Sequence, residues 1–260
     1  MTPGLRTSAS GMIAQQKRVD VIANNLANVN TTGFKRSRTH FEDLLYETIQ
    51  GPRRSGTGAV VSPMQIGHGV RLNAITRIDT QGGAEITGRP LDIALEGEGF
   101  FQVEMPDGTI AYTRDGSFSL SDAGQLVTNS GQLLLPGIVL PPDTTNVTIS
   151  ETGMVSVTNP ADGMALEIGR LELARFANPT GLLSLGGNLL AESDASGHVS
   201  VGFPGEDGFA RVLQGALESS NVEIVQEMTD MIAAQRAYEI NARAIRAAED
   251  MMRSLDDLIR

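Results

Sequence analysis

Apolar residues recur at every seventh position at both ends of the chain, and the middle follows a different rhythm. Leu5, Met12, Val19 and Leu26 form the first series, with Ala9, Gln16 and Ala23 between them. Ile224, Met231, Tyr238, Ile245, Met252 and Ile259 form the second. Alternating steps of four and three residues keep one stripe of a helix facing a partner. The first series predicts a helix from near Leu5 to Asn28. Asn30-Thr31-Thr32-Gly33 closes it, with Gly33 able to take the left-handed conformation of a helix C-terminus. A second, short helix is expected over residues 41–46. The last helix is expected to begin at a capping box, Ser220-Asn221-Val222-Glu223, in which Ser220 accepts from the Glu223 amide. Run to Arg260, it would be about 60 Å long at 1.5 Å per residue.

Between the ends the apolar positions alternate in steps of two. Phe101, Val103 and Met105 lead into the turn Pro106-Asp107-Gly108, and Ile110 and Tyr112 lead back. Further turns flank Phe118 and Leu120. Val147 and Ile149, then Thr152-Gly153, then Val155 and Val157 predict another hairpin, and Ile168, Leu171, Leu173 and Phe176 a further strand-like run. Glycine and proline follow the same division. Of 29 Gly only Gly4 and Gly11 precede residue 33 and none follows Gly215; of 11 Pro only Pro3 lies in the N-terminal segment and none follows Pro204. Helix breakers are thus confined to the region of short strands. The expected fold class is mixed α and β. Long, coiled-coil-like N- and C-terminal helices pack together, with an inserted all-β domain of barrel or sandwich type and an extended connector. The expected division is residues 1–32 with 218–260 as a terminal helical domain, 33–70 as the connector, and 71–217 as the β-rich domain. Residues 50–69, rich in Gly and Pro, form either a flexible loop or an arm that contacts a neighbouring subunit.

Composition narrows the chemistry. The formal net charge of −11 argues against nucleic acid or an acidic lipid surface as the main partner. The chain has no cysteine, so disulfides, thiolate metal sites and thiol nucleophiles are excluded. No run approaches the ~18 apolar residues of a membrane span. The first ten residues lack the pattern of a cleavable signal peptide, so export is expected to use a signal that is not cleaved. His40, His68 and His198 are scattered, without metal-ligand spacing. Gly97-Glu98-Gly99 and Gly56-Thr57-Gly58 lack the remaining residues of phosphate-binding fingerprints. Asp92, Glu96, Glu98 and Glu104 cluster in sequence, as a glycosidase pair would, but a carboxylate run in an acidic protein is usually a solvated face. No catalytic, cofactor-binding or metal-binding residue is assigned, and no cofactor is expected.

Residues 1–40 carry six basic side chains against one acidic, a net of +5; residues 218–260 carry five against nine, a net of −4. Opposite charge favours association of the ends, within one chain or between chains, although exposed pairs contribute only ~0–1 kcal/mol each. The C-terminal seam is longer than the N-terminal one, so pairing of the two leaves Met252, Leu255 and Ile259 uncovered. Such a surface is expected to meet other copies, in a ring or a helical filament. Gln16, Gln235 and Glu249 lie at seam positions, where polar residues fix register or simply mark a seam edge. A finite oligomer of a secreted β-domain binding protein and a carbohydrate-cleaving enzyme are the alternatives from other classes.

Longer motifs are written across the same heptads. Ser8-Ala-Ser-Gly-Met-Ile-Ala-Gln-Gln and Asp20-Val-Ile-Ala-Asn-Asn-Leu-Ala-Asn-Val-Asn-Thr-Thr-Gly-Phe-Lys-Arg lie at the start. Ser219-Ser-Asn-Val-Glu-Ile-Val-Gln-Glu-Met and Met231-Ile-Ala-Ala-Gln-Arg-Ala-Tyr-Glu-Ile-Asn lie at the end. With the central Leu91-Asp-Ile-Ala-Leu-Glu-Gly-Glu-Gly-Phe-Phe-Gln-Val and Tyr112-Thr-Arg-Asp-Gly-Ser-Phe, they resemble the signatures of the bacterial flagellar basal-body rod and hook family over nearly the whole chain. The length and Pro63-Met-Gln-Ile-Gly-His-Gly-Val-Arg are most similar to distal-rod members; a proximal rod or hook-type axial subunit is the nearest alternative. The resemblance implies a structural subunit in a helical homo-polymer whose terminal helices line a central channel. It implies as partners the proximal rod proteins, the hook protein, the surrounding P- and L-ring proteins and the flagellar type III export apparatus, in a basal body that crosses the periplasm. The ten residues of the two seams would be its assembly contacts. Pro52, Arg53, Arg54, Pro63, Met64 and Gln65 would form an arm that locks neighbours and stiffens the tube.

Overall fold

A computed structural model describes residues 3–51, 53–54, 60–61, 63–141, 146–158 and 165–258; for residues 3, 53, 54, 60, 61 and 255–258 only the backbone is described. The chain is mixed α and β, with one helix at each end, α1 (Pro3–Ala27) and α2 (Ile224–Leu258), and strands and turns between them. It divides into two compact units. Unit 1 comprises Met1–Ala27, Ser37–Arg77 and Glu223–Arg260; unit 2 comprises Asn28–Arg36 and Ile78–Val222.

Unit 1 holds both helices and a two-stranded ribbon. The strand Ser37–Asp43 pairs antiparallel with Val70–Arg77. Farther along the ribbon, Tyr46–Gln50 pairs with Met64–Gly67, and Arg53–Arg54 with Val60–Val61. The short helix expected over residues 41–46 is therefore absent. Residues 37–41 alternate between half-buried and exposed, which is strand periodicity. The adjacent Phe41, Leu44 and Leu45 mimic a helical stripe locally, but the pairing with residues 70–77 decides the outcome. The capping contacts of the helices also differ from expectation. α1 stops at Ala27, and Gly33 does adopt φ +67°, but for a different reason. Its amide donates to the Glu218 carbonyl at 2.8 Å, and an added Cβ would lie 2.7 Å from the carbonyl carbon of Arg114. α2 begins at Ile224, and Ser220 Oγ accepts from the Val222 amide at 3.3 Å in place of the expected Glu223 amide.

Unit 2 is built around a nine-stranded antiparallel sheet. At its centre, Phe100–Glu104 pairs with Ile110–Thr113, the hairpin that the Pro106-Asp107-Gly108 turn predicts. Asn146–Ile149 and Met154–Thr158 form the second predicted hairpin, extended by Ala165–Arg170 into a three-stranded sheet. The single run expected over residues 168–176 is two strands, Ala165–Arg170 and Leu173–Arg175, in different sheets. Phe101, Val103, Phe118, Leu126, Leu171 and Leu173 lie in one buried cluster. Phe100, Tyr112 and Phe176 lie in a second. The central strand is thus covered on both faces, with Phe100 in one cluster and Phe101 in the other. Phe101 and Phe118 meet edge to face, with ring centroids 5.1 Å apart.

Candidate assembly surfaces

Two lines of residues, each spaced by seven, bring α1 and α2 together in unit 1: Gly11, Arg18 and Asn25 on α1, and Glu227, Ala234 and Asn241 on α2. Gly11 lies against Asn241, where an added Cβ would sit 2.9 Å from Nδ2. Arg18 Nη2 donates to Asp230 Oδ1 at 2.7 Å. Asn25 Nδ2 donates to Glu227 Oε2 at 3.2 Å. Numbers rise along α1 as they fall along α2, so the helices are antiparallel. Ala14, Ile22, Asn25, Glu227 and Ala234 are buried. Gly11 and Ala234 let the two backbones approach, and Asn25 donates to Glu227 where both are shut away from water.

The predicted seam runs beside this line. Leu5, Met12, Val19 and Leu26 are half-buried, as are Met231 and Ile245. Ile224, Tyr238 and Met252 are exposed, and Ile259 lies outside the described residues. Gln16, Gln235 and Glu249 are exposed as well, so the polar residues inside the helix pair are Asn25 and Glu227. The heptad spacing of Gly11, Arg18 and Asn25 was the signal for the true line, hidden because none of the three is apolar. α2 has a second apolar face that α1 does not cover: Ile224, Val225, Met228 and Ile232 are 47, 74, 51 and 49% exposed. α2 is also longer, 35 residues against 25, and Met251 and Met252 lie exposed near its end.

The predicted arm is a hairpin. Tyr46–Gln50 is exposed at every position, and Pro63, Met64, Gln65 and Ile66 are exposed opposite it. Arg53 and Arg54 pair through their backbones with Val61 and Val60. Pro52 lies outside the described residues. An isolated two-stranded ribbon of this kind is marginally stable by itself.

A buried ionic cluster in unit 2 holds the segment that follows α1. Glu218 accepts from Lys35 Nζ, from Arg114 Nη1 at 3.2 Å and from the Gly82 amide at 3.0 Å. Lys35 and Glu218 are 5% and 1% exposed in their side chains. Burial pushes the Lys35 pKa below its ordinary value, against the pull of Glu218. Burial likewise lowers Arg114, again opposed by Glu218. The carboxylates grouped in sequence do not converge: Asp92 is buried and accepts from Thr87 Oγ1 at 2.6 Å, whereas Glu96, Glu98 and Glu104 are exposed. His40 bonds to Thr76, His68 sits near Glu47 and His198 near Glu192. Among the described residues no three His, Asp or Glu side chains are grouped to hold a metal ion, and no helix is long and apolar enough to cross a membrane.

Three family models match the chain in order: flagella basal body rod protein over residues 5–35, the flagellar hook protein FlgE/F/G D1 domain over 94–157, and the flagellar basal body rod FlgEFG protein C-terminal region over 213–258. The chain is 47% identical to the flagellar basal-body rod protein FlgG of Borreliella burgdorferi, over the full length of both. Two proteins of Caulobacter vibrioides give an internal comparison. Identity is 46% to its FlgG, covering 98% of each chain, and 34% to its rod protein FlgF, covering 98% of this chain and 96% of the other. The helix pair, the exposed apolar face of α2 and the β-rich unit are thus those of a structural protein, and the chain belongs to the flagellar basal-body rod family.

Proposed function

We propose that this chain is the structural subunit of the distal flagellar rod. Copies self-assemble into a rigid helical tube that transmits motor torque to the hook and encloses the export channel. The observation that carries this reading is the double-sided character of α2: one face is buried on α1, and a second apolar face, starting at Ile224 and Val225, is exposed among the described residues. Another copy is the natural occupant. The higher identity to FlgG than to FlgF within one organism favours the distal position over the proximal one. In the tube, Leu5, Met12, Val19, Leu26, Ile224, Met231, Tyr238, Ile245, Met252 and Ile259 make coiled-coil-like contacts between copies. Residues 1–32 with 218–260 form the inner wall, residues 33–70 connect, and residues 71–217 face outward. The hairpin with Pro52, Arg53, Arg54, Pro63, Met64 and Gln65 docks on a neighbour and stiffens the tube. The subunit leaves through the flagellar type III export apparatus, joins proximal rod and hook proteins, and turns within the P- and L-rings across the periplasm.

Electron microscopy of the concentrated protein tests this. The parent chain should form tubes, and the triple variant Ile224→Glu, Val225→Glu, Ile232→Glu should form none while keeping the helical circular dichroism of the monomer. Tubes from the variant, or a parent that stops at a fixed small oligomer in light scattering, would refute the proposal.

A further inference from the structure

The chain crosses between its two units at four peptide bonds: Ala27–Asn28, Arg36–Ser37, Arg77–Ile78 and Val222–Glu223. On each side a single asparagine ties three of the four. In unit 1, Asn25 lies just before the first crossing. Its Oδ1 accepts from the Ser37 amide at 2.8 Å, and its Nδ2 donates to the Ser37 carbonyl at 2.9 Å and to Glu227 at 3.2 Å. It thereby joins the segments at the first, second and fourth crossings, and is 1% exposed. In unit 2, Asn221 lies just before the fourth crossing. Its Oδ1 accepts from the Arg36 amide at 2.8 Å, and its Nδ2 donates to the carbonyls of Ile78 at 2.8 Å and Thr80 at 3.0 Å. It joins the segments at the second, third and fourth.

Both positions use the same chemistry. One planar carboxamide carries a donor and an acceptor side by side, and so can bond a backbone amide and a backbone carbonyl at once. Aspartate keeps the acceptor and loses the donor. We propose that Asn25 and Asn221 are positioning residues, each clasping three crossings so that these open together and not one at a time. Local segments otherwise open independently wherever few buried contacts hold them. In a subunit under torque, clasped crossings would share the strain passed along the chain. The clasps stand whether or not the rod reading holds.

Trypsin reads this out, because it cuts after Arg36 and after Arg77, at two of the crossings. The test uses the full chain, below the concentration at which it assembles, with cleavage sites identified by mass spectrometry. Asn221→Ala should speed cut formation at both Arg36–Ser37 and Arg77–Ile78 by about tenfold, with Arg114–Asp115 unchanged. Asn221→Asp should speed Arg77–Ile78 alone, because the acceptor for the Arg36 amide remains. Asn25→Ala should speed Arg36–Ser37 and leave Arg77–Ile78 as it was. Unchanged rates in Asn221→Ala, equal acceleration of both sites in Asn221→Asp, or acceleration at Arg114–Asp115 in step with the crossings would each overturn the proposal.

Discussion

Replacing Glu218 with glutamine tests the ionic cluster of unit 2 without changing its shape. Oε1 of Glu218 faces Lys35 Nζ and the Gly82 amide, and Oε2 faces Arg114. Whichever way the new amide turns, its NH2 points at a donor. Two buried cations then share a site with no carboxylate bonded between them. Breaking a buried pair by removing one partner costs about 3–5 kcal/mol, and the exposures of Lys35 and Glu218 leave little solvent screening to soften it. Urea unfolding checks this, followed by near-ultraviolet circular dichroism; of the three tyrosines Tyr112 is buried, and Tyr46 and Tyr238 are exposed. The loss should also depend on pH, with a sign fixed by Lys35. Its folded pKa lies below the ordinary 10.5, and Glu218 is the main influence raising it. In Glu218→Gln it falls further. Between the folded value and 10.5 the unfolded chain binds more protons than the folded one, so stability rises with pH in that window. The window opens at lower pH in the variant, so its deficit against the parent should shrink from pH 7 towards pH 10. A deficit under about 1 kcal/mol at pH 7, or one that grows towards pH 10, would refute the reasoning.

Gly33→Ala should destabilise unit 2 by about 1–3 kcal/mol in the same assay, because a Cβ is strained at φ +67° and meets the Arg114 backbone; a neutral result would show that the turn can shift. Arg18→Ala should cost less than about 1 kcal/mol, since its pair with Asp230 is about one-third exposed, and the effect should fade in 1 M salt. A loss above about 2 kcal/mol that salt leaves intact would mean Arg18 contributes through packing.

The helices and most strands were legible in the sequence because each rests on a local period. The end helices follow from the heptads and from the lack of glycine and proline around them. The hairpins around residues 106–108 and 152–153 follow from alternation broken by turn residues. What failed was non-local. Nothing near Phe41 says that residues 70–77 will pair with it, and a short apolar cluster fits a helix or a strand equally well. The α1–α2 contact was displaced by part of a turn because hydrophobicity marks the stripe with most to bury. Close approach of two helices is instead marked by Gly11, Ala14 and Ala234. The large apolar residues beside that line, Ile224 and Tyr238 among them, are exposed among the described residues. Asn221 and Glu218 leave no periodic trace, since their partners lie far away in sequence.

That displacement bears on how assembly is controlled. If α2 spent its large side chains on α1, little would remain to join copies. The exposed set on α2 is Ile224, Val225, Met228, Ile232, Tyr238, Ile240, Met251 and Met252, at 42 to 74% exposure. Fully burying such a side chain contributes about 1.5–3 kcal/mol, so covering what is still exposed contributes roughly 1 kcal/mol each. These residues point in several directions around the helix, so one neighbour covers only some of them. Bringing two subunits together costs an estimated ~4–15 kcal/mol in lost freedom. A single contact therefore falls short of or barely meets that cost, whereas in the proposed tube a subunit would cover several sides of α2 and the exposed ribbon for one loss of freedom. On the proposed reading, isolated subunits should therefore stay apart in dilute solution and add to an existing end, which fits a protein that would reach its site before it polymerises.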